Sequence, residues 1–280
     1  MHNPSNRHDR MIITQISDLH LRDDGILLKQ KIDTEAALDA AISHINNWQT
    51  VPDAILVTGD LVQRAKQQNY GNLRKKLDRL CSPYYVIPGN YDNRALIREH
   101  FSDFGYLPKS GPFLHYSIDD GPLRLIGLDT MIPGENQGEI CEKRCKWLDS
   151  TLSAKPNQPA LIFMHHPLLK TGVSYLDHHE FNEGELLKSV IRRHSQVVWI
   201  ACGHLHRHMH LKWAGIAATV SPSIAFQLPL ALEPGAEKSF SLEPPGCPVY
   251  IWNSDIGLVS HMSLVGKFGE LQPFVRDPCL

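Results

Sequence analysis

The ten residues from Met11 to His20, MIITQISDLH, set the reading of the whole chain. Their first six form an apolar run of the length of a buried strand, and the run ends on Ser17 and Asp18, so polar groups arrive at the strand's carboxyl end. The same pattern returns four times. Residues 54–58 run into Gly59-Asp60, 84–87 into Pro88-Gly89-Asn90-Tyr91-Asp92, 160–164 into His165-His166, and 197–201 approach Gly203-His204-Leu205-His206. Between the early strands lie amphipathic stretches: Leu38, Ala41, Ile42, Ile45 and Trp48 behind the N-caps Asp33 or Thr34, then Tyr70, Leu73, Leu77 and Leu80. Strand and helix in alternation predict a largely parallel sheet.

The second half keeps the alternation and adds hairpins. Segments 113–118 and 123–129 flank the turn residues Asp119-Asp120-Gly121-Pro122, and helices are expected near 140–152 and 183–194. Segments 208–213 and 216–220 should pair around Ala214-Gly215, and 248–252 with 258–262 around 253–257. The Pro-, Gly- and Glu-rich stretch 229–248 reads as a surface loop. One domain over 11–265 is expected, with a disordered leader at 1–10, a tail at 266–280, and a β-rich extension from about 208 that is a candidate homodimer surface.

Composition excludes several function classes. In 280 residues, 28 Lys+Arg balance 30 Asp+Glu, which argues against a nucleic-acid partner held by counterion release. The longest apolar runs fall far short of the roughly 20 residues of a spanning helix, so no membrane partner is expected. The polar N-terminus lacks a secretory pattern, and six cysteines without framework spacing suit reduced thiols, which together point to the cytoplasm. Cys141 and Cys145 stand one helical turn apart, but no second pair follows at zinc spacing, so they read as two thiols on a helix.

The five strand ends carry the chemistry. In an open α/β sheet, ligands gather beyond the carboxyl ends of the strands, so these tips can converge. They offer oxygen from Asp18, Asp60 and Asn90 and imidazole nitrogen from His20, His165, His204 and His206. A mixed set without thiolate suits manganese, iron or zinc and disfavours magnesium or calcium. Seven donors exceed what one ion takes while leaving room for substrate. Two ions are therefore expected, with Asp60 bridging them at the roughly 3.5–4 Å of two-metal hydrolytic sites. Gly59, Gly89 and Gly203 would let backbone turn sharply or approach closely there.

The series resembles the pattern D-x-H, G-D, G-N-H-[DE], H, G-H-x-H of the calcineurin-like metallophosphoesterase superfamily, over roughly residues 11–223. His165-His166-Pro167, Tyr175-Leu176-Asp177 and Ser221-Pro222-Ser223 resemble the bacterial class III cyclic-nucleotide phosphodiesterases, with glycerophosphodiester hydrolases as close relatives. The resemblance implies a four-layer α/β/β/α sandwich and a binuclear phosphodiesterase. Cyclic nucleotides come first as substrate, and glycerophosphodiesters or small phosphomonoesters next. It implies Asp18, His20, Asp60 and His206 around one metal, and Asp60, Asn90, His165 and His204 around the other. Asn90 would also neutralise phosphoryl charge, and His166 would stand behind the ligands or touch substrate.

One position departs from the pattern: Tyr91 replaces the family's His, which the neighbouring carboxylate, here Asp92, would orient toward phosphate as a proton donor. A phenol with a pKa near 10 is poorly matched to that work at neutral pH. Either the metals suffice, or another histidine such as His166 or His208 serves, or the protein binds phosphate compounds as a weakly catalytic or regulatory metal-binding protein. His178 and His179 read as exposed loop residues, His208 and His210 as sharing the solvated face of a hairpin strand, and Lys188, Arg192 and Arg193 as the wet side of a helix.

Overall fold

The computed structural model describes residues 9–22, 25–167, 170–177, 184–269 and 272. Every apolar run identified above is a strand: β1 (Arg10–Ile16), β2 (Ala54–Thr58), β3 (Tyr84–Ile87), β6 (Ala160–Met164) and β7 (Val197–Cys202). The hairpins are β4 (Tyr116–Ile118) with β5 (Arg124–Leu128), β8 (Met209–Trp213) with β9 (Ile216–Val220), and β10 (Gly246–Asn253) with β11 (Gly257–Leu264). One sheet runs β11-β10-β1-β2-β3 and the other β4-β5-β6-β7-β9-β8. Within them β1, β2 and β3 are parallel, as are β5, β6, β7 and β9, and the later hairpins add antiparallel edges.

The two sheets face each other, β2 against β6, β3 against β5 and β7 against β11. Helices α1 (Thr34–Asn46), α2 (Gln67–Leu77), α3 (Arg94–His100), α4 (Glu142–Ser153) and α5 (Gly184–Arg193) flank them, which realises the expected sandwich. Residues of β2, β5 and β6 are buried without exception, because each of these strands is covered on both faces. A buried polar knot crosses the seam. The side-chain amide of Gln15 donates to Thr58 Oγ1 at 2.7 Å and to the Cys202 carbonyl at 2.9 Å, while its oxygen accepts from the Tyr250 hydroxyl at 2.7 Å. Four strands from both sheets are thereby held in one register.

Some boundaries differ from the sequence reading. Arg10, placed in the leader, is the first residue of β1 and sits opposite Asn253. Phe113 and Leu114 are not strand, because the Leu114 amide donates to Asp129 Oδ2 at 2.8 Å instead of to a ladder. Helix α3 was not anticipated; its seven residues are too few for a clear period, although Asn93 caps it by accepting from the amides of Ala95 and Leu96. The surface loop before β10 ends at residue 245. Cys141 stands at the N-cap of α4 and Cys145 is buried, and neither forms a disulfide among the described residues. His178 and His179 lie outside the described residues. No described helix is long and apolar enough to cross a membrane.

Candidate metal centre

The tips of β1, β2, β3, β6 and β7 meet at the same end of the seam. Backbone bonds tie neighbouring tips together: Asp18 N donates to Gly59 O at 3.1 Å, His20 N to Asp60 O at 2.8 Å, and Gly203 N to His165 O at 2.9 Å. Asp18, His20, Asp60, His204 and His206 all have left-handed backbones, with φ of 54°, 44°, 49°, 72° and 46°. Each such residue costs on the order of 1 kcal/mol, and strain of this kind collects where side-chain direction is functional. Gly89 must stay bare, since a Cβ there would strike the amide nitrogen and Oδ1 of Asp60.

Asp18, His20, Asp60 and His206 form one buried group, and His165, His166 and His204 another, with the candidate ligand atoms of each group within 4.8 Å of one another. In the first group, His20 Nε2 lies 3.1 Å from His206 Nε2 and 3.5 Å from Asp60 Oδ2, and His206 Nε2 lies 3.3 Å from Asp18 Oδ1. At the second, His165 Nε2 lies 3.1 Å from Asn90 Oδ1, 3.3 Å from His204 Nδ1 and 3.5 Å from Asp60 Oδ1. Asp60 thus turns one oxygen to each group. All seven expected donors come together, and Asp60 occupies the expected middle.

The donor set fits cations on hydrogen-bond grounds. His165 Nδ1 contacts the Thr58 carbonyl at 2.7 Å and His206 Nδ1 the Phe226 carbonyl at 2.9 Å. A carbonyl only accepts, so in each neutral ring Nδ1 carries the proton and Nε2 presents a lone pair. These lone pairs face carboxylate and amide oxygens that are acceptors too, and a cation reconciles them. Burial pushes His20 down to about 4 and His204 down to about 3, which keeps both neutral and free to ligate. Burial raises the Asp60 and Asp18 carboxyls, but the surrounding imidazoles more than reverse this and hold both below the usual carboxylate range. Burial opposes charge on His165, yet Asp60 and Asp18 push it up to about 9, so with no cation bound a proton there is the alternative way to satisfy those carboxylates.

The expectation for Asp92 needs correction. Its carboxylate does not orient residue 91: Oδ2 accepts from Leu61 N at 3.1 Å and Gly89 N at 2.8 Å, and Oδ1 accepts from the Tyr70 hydroxyl at 2.9 Å. It braces the loops that carry Asp60 and Asn90 against α2. Tyr91 instead holds Asp60 through its backbone, N to Oδ1 at 2.9 Å, and sets its half-exposed ring edge-on to His20 at 4.9 Å. Gln63 hydrogen-bonds its hydroxyl, and burial and Asp60 raise its pKa, so it is poorly matched to general-acid work at neutral pH. His208 is exposed, its ring 4.4 Å from that of His210, and is not among the residues lining the cleft.

Over this centre opens a cleft of about 450 Å³ with His20, Asp60, Asn90, His204 and His206 at its floor. Its walls include Tyr91, Phe226 and Phe240, with Lys29 and Lys238 at the rim. Phe226 packs on His206 at 4.3 Å and on His20 at 5.5 Å, which shields both rings. Apart from Tyr91, the sequence reading missed these walls. The 229–248 composition announces only a loop, and nothing in it says that the loop returns over the centre.

Two facing sheets with acidic and imidazole donors gathered at their shared end define a metal-dependent phosphoester hydrolase of the α/β/β/α type. The chain belongs to the calcineurin-like phosphoesterase family, which matches residues 11–208. It is 34% identical over 95% of its length to a probable glycerophosphodiester phosphodiesterase of Arcobacter nitrofigilis, covering 98% of that protein. It is 28% identical over 78% of its length to the 3',5'-cyclic adenosine monophosphate phosphodiesterase of Escherichia coli, again covering 78% of it. A dimetal phosphatase from Danio rerio shares the fold with a TM-score of 0.61 at 14% identity, over 89% of this chain and 98% of that one.

Proposed function

We propose that the protein is a binuclear phosphodiesterase of the cytoplasm, consistent with five described cysteines that form no disulfide with one another, and that it cleaves glycerophosphodiesters. The observation that carries this reading concerns the cleft walls. Phe226, Leu228 and the segment 238–240 lie beyond the residues the family match covers, and these walls meet the part of a substrate that distinguishes one diester from another. Alignments to a probable glycerophosphodiester phosphodiesterase over 95% of the chain and to a probable cyclic nucleotide phosphodiesterase of Synechococcus over 90% both run through them, and the higher identity, 34% against 30%, favours the first. A second reading, cyclic nucleotides, is supported by the aromatic faces of Tyr91, Phe226 and Phe240, on which a base can stack.

Asp18, His20, Asp60 and His206 would hold one cation and Asp60, Asn90, His165 and His204 the other, with manganese, iron or zinc suited to the donors. Bound ions in such a centre supply Lewis acidity and a nucleophile at neutral pH. The protein's own contribution is preorganisation. Asn90 keeps Oδ1 toward the centre while its amide nitrogen donates to Asn136 Oδ1 at 3.3 Å, so the side chain is fixed in the orientation in which its oxygen can ligate. Asp92 and Tyr70 fix the loops of Asp60 and Asn90, and Phe226 keeps water from His20 and His206. No described side chain in the walls is a proton donor matched to neutral pH, so diesters with better leaving groups should turn over faster.

The test is a panel of glycerophosphoethanolamine, glycerophosphocholine, cyclic AMP and bis(p-nitrophenyl) phosphate, with manganese, iron and zinc supplied in turn and metal content measured. A kcat/KM at least tenfold higher on a glycerophosphodiester than on cyclic AMP is expected. The reverse order selects the second reading, and cation binding without turnover of any of the four refutes both.

A further inference from the structure

His166 is 2% exposed and its Nε2 has no hydrogen-bond partner among the described residues. A buried ring nitrogen left open beside a cluster of donors calls for an explanation. Its other nitrogen, Nδ1, lies 2.7 Å from Thr130 Oγ1. As in His165 on the Thr58 carbonyl and His206 on the Phe226 carbonyl, one nitrogen is tied to an oxygen; here the oxygen is a hydroxyl that also accepts from His166 N at 3.3 Å, and the tautomer with its proton on Nδ1 leaves Nε2 a lone pair. The ring cannot retreat, because Gly138 is pressed against it and a Cβ there would strike its Cβ and Cγ. On its other side the rings of His204 and His165 stand at 4.7 and 4.8 Å.

We propose that His166 is a third imidazole ligand of the second cation position, beside His165 and His204. Two nitrogens bound to one ion at about 2.1 Å stand about 3–4 Å apart. His165 Nε2 and His204 Nδ1 already do, at 3.3 Å. One nitrogen of His166 lies within 4.8 Å of both, so its ring has about an ångström to travel. With Asp60 and Asn90 this makes three nitrogens and two oxygens, a set that favours zinc or iron over manganese, whereas the first position, with two imidazoles and two carboxylates, is the more tolerant. The residue thereby gives the two positions different metal preferences. The inference rests on the cation-binding function proposed above.

The experiment is calorimetric titration of the full chain with zinc and, separately, manganese, for the native protein and His166→Gln, with the visible absorption of the cobalt-loaded forms as a second readout. Zinc affinity should fall at least tenfold more than manganese affinity in the variant, and the cobalt bands should change shape. A ring that only packs would lower both affinities alike or neither, and either result overturns the proposal while leaving the phosphodiesterase intact. A native protein that binds no cation overturns both. Should His166→Gln fail to fold, Thr130→Val, which removes only the hydroxyl behind the ring, should shift the zinc-to-manganese ratio by at least threefold, and an unchanged ratio overturns the assignment.

Discussion

Replacing Tyr70 by Phe removes a single oxygen from a residue that touches neither cation position nor cleft, and its effect can be worked from the structure. The hydroxyl of this fully buried side chain donates to Asp92 Oδ1 at 2.9 Å and accepts from Asn93 N at 2.8 Å. Phe leaves a buried carboxylate oxygen and a partly buried amide without those partners, at about 1–3 kcal/mol each, or about 2–6 kcal/mol together. For a chain of this size that lowers Tm by roughly 4–24 °C. A second effect follows from Asp92, which burial and Asp60 push up to about 7 against the bonds from Gly89, Leu61 and Tyr70. Without the phenol it takes up a proton more readily, its hold on Leu61 N and Gly89 N weakens, and the loops of Asp60 and Asn90 loosen. Thermal unfolding and manganese titration of Tyr70→Phe, side by side with the native protein, should therefore show lower stability and weaker cation binding together. A loss under about 1 kcal/mol with unchanged binding would refute the brace.

Three further outcomes are expected. Asp60→Asn should abolish phosphodiester hydrolysis and weaken cation binding at both positions, because its two oxygens serve one group each; stoichiometry by metal analysis falling from two to one would contradict the bridge. Cation affinity should rise with pH and level off near 9: His165, raised to about 9 from an ordinary 6.5, stabilises the cation-free fold below pH 6.5, and that contribution is lost as pH climbs through 9, so a cation displaces a proton until then. Titrations between pH 6 and 10 check the sign, and a flat profile contradicts it. Tyr91→His should change kcat only a few-fold on alkyl diesters, since Asp92 is committed to Leu61, Gly89 and Tyr70 and would leave the new imidazole unoriented; a gain of the roughly 10²–10⁴ typical of a placed general acid would show otherwise.

The strand ends were legible because a buried strand has to shed its polar residues where it surfaces, so Asp18, Asp60, Asn90, His165 and His204 announce themselves by position. What lay hidden is what periodicity does not encode. The backbones of Asp18 and His206 are left-handed, and although Asp and His adopt that conformation more readily than most residues, the preference is too weak to single out these positions. Tyr70 reads as one more apolar position of an amphipathic helix, and only the fold shows its hydroxyl reaching Asp92. The role expected of Asp92 came from the family pattern, in which the carboxylate orients a His at position 91, whereas here it accepts from the amides of Leu61 and Gly89. Phe226 and Phe240 follow the last recognisable motif, in a stretch whose composition speaks of solvent.

Asp18, His20, Asp60 and Asn90 follow strands of one sheet, and His165, His204 and His206 follow strands of the other. Ions seated there rivet the two halves of the molecule at one end, as Gln15 does within the strands. Ligation is then conformational stability in its own right. An apoprotein keeps Gln15 and direct bonds such as His165 Nδ1 to the Thr58 carbonyl but loses the ionic cross-link, so the catalytic end should loosen first, which would make starvation for metal a signal for proteolysis as well as for silence.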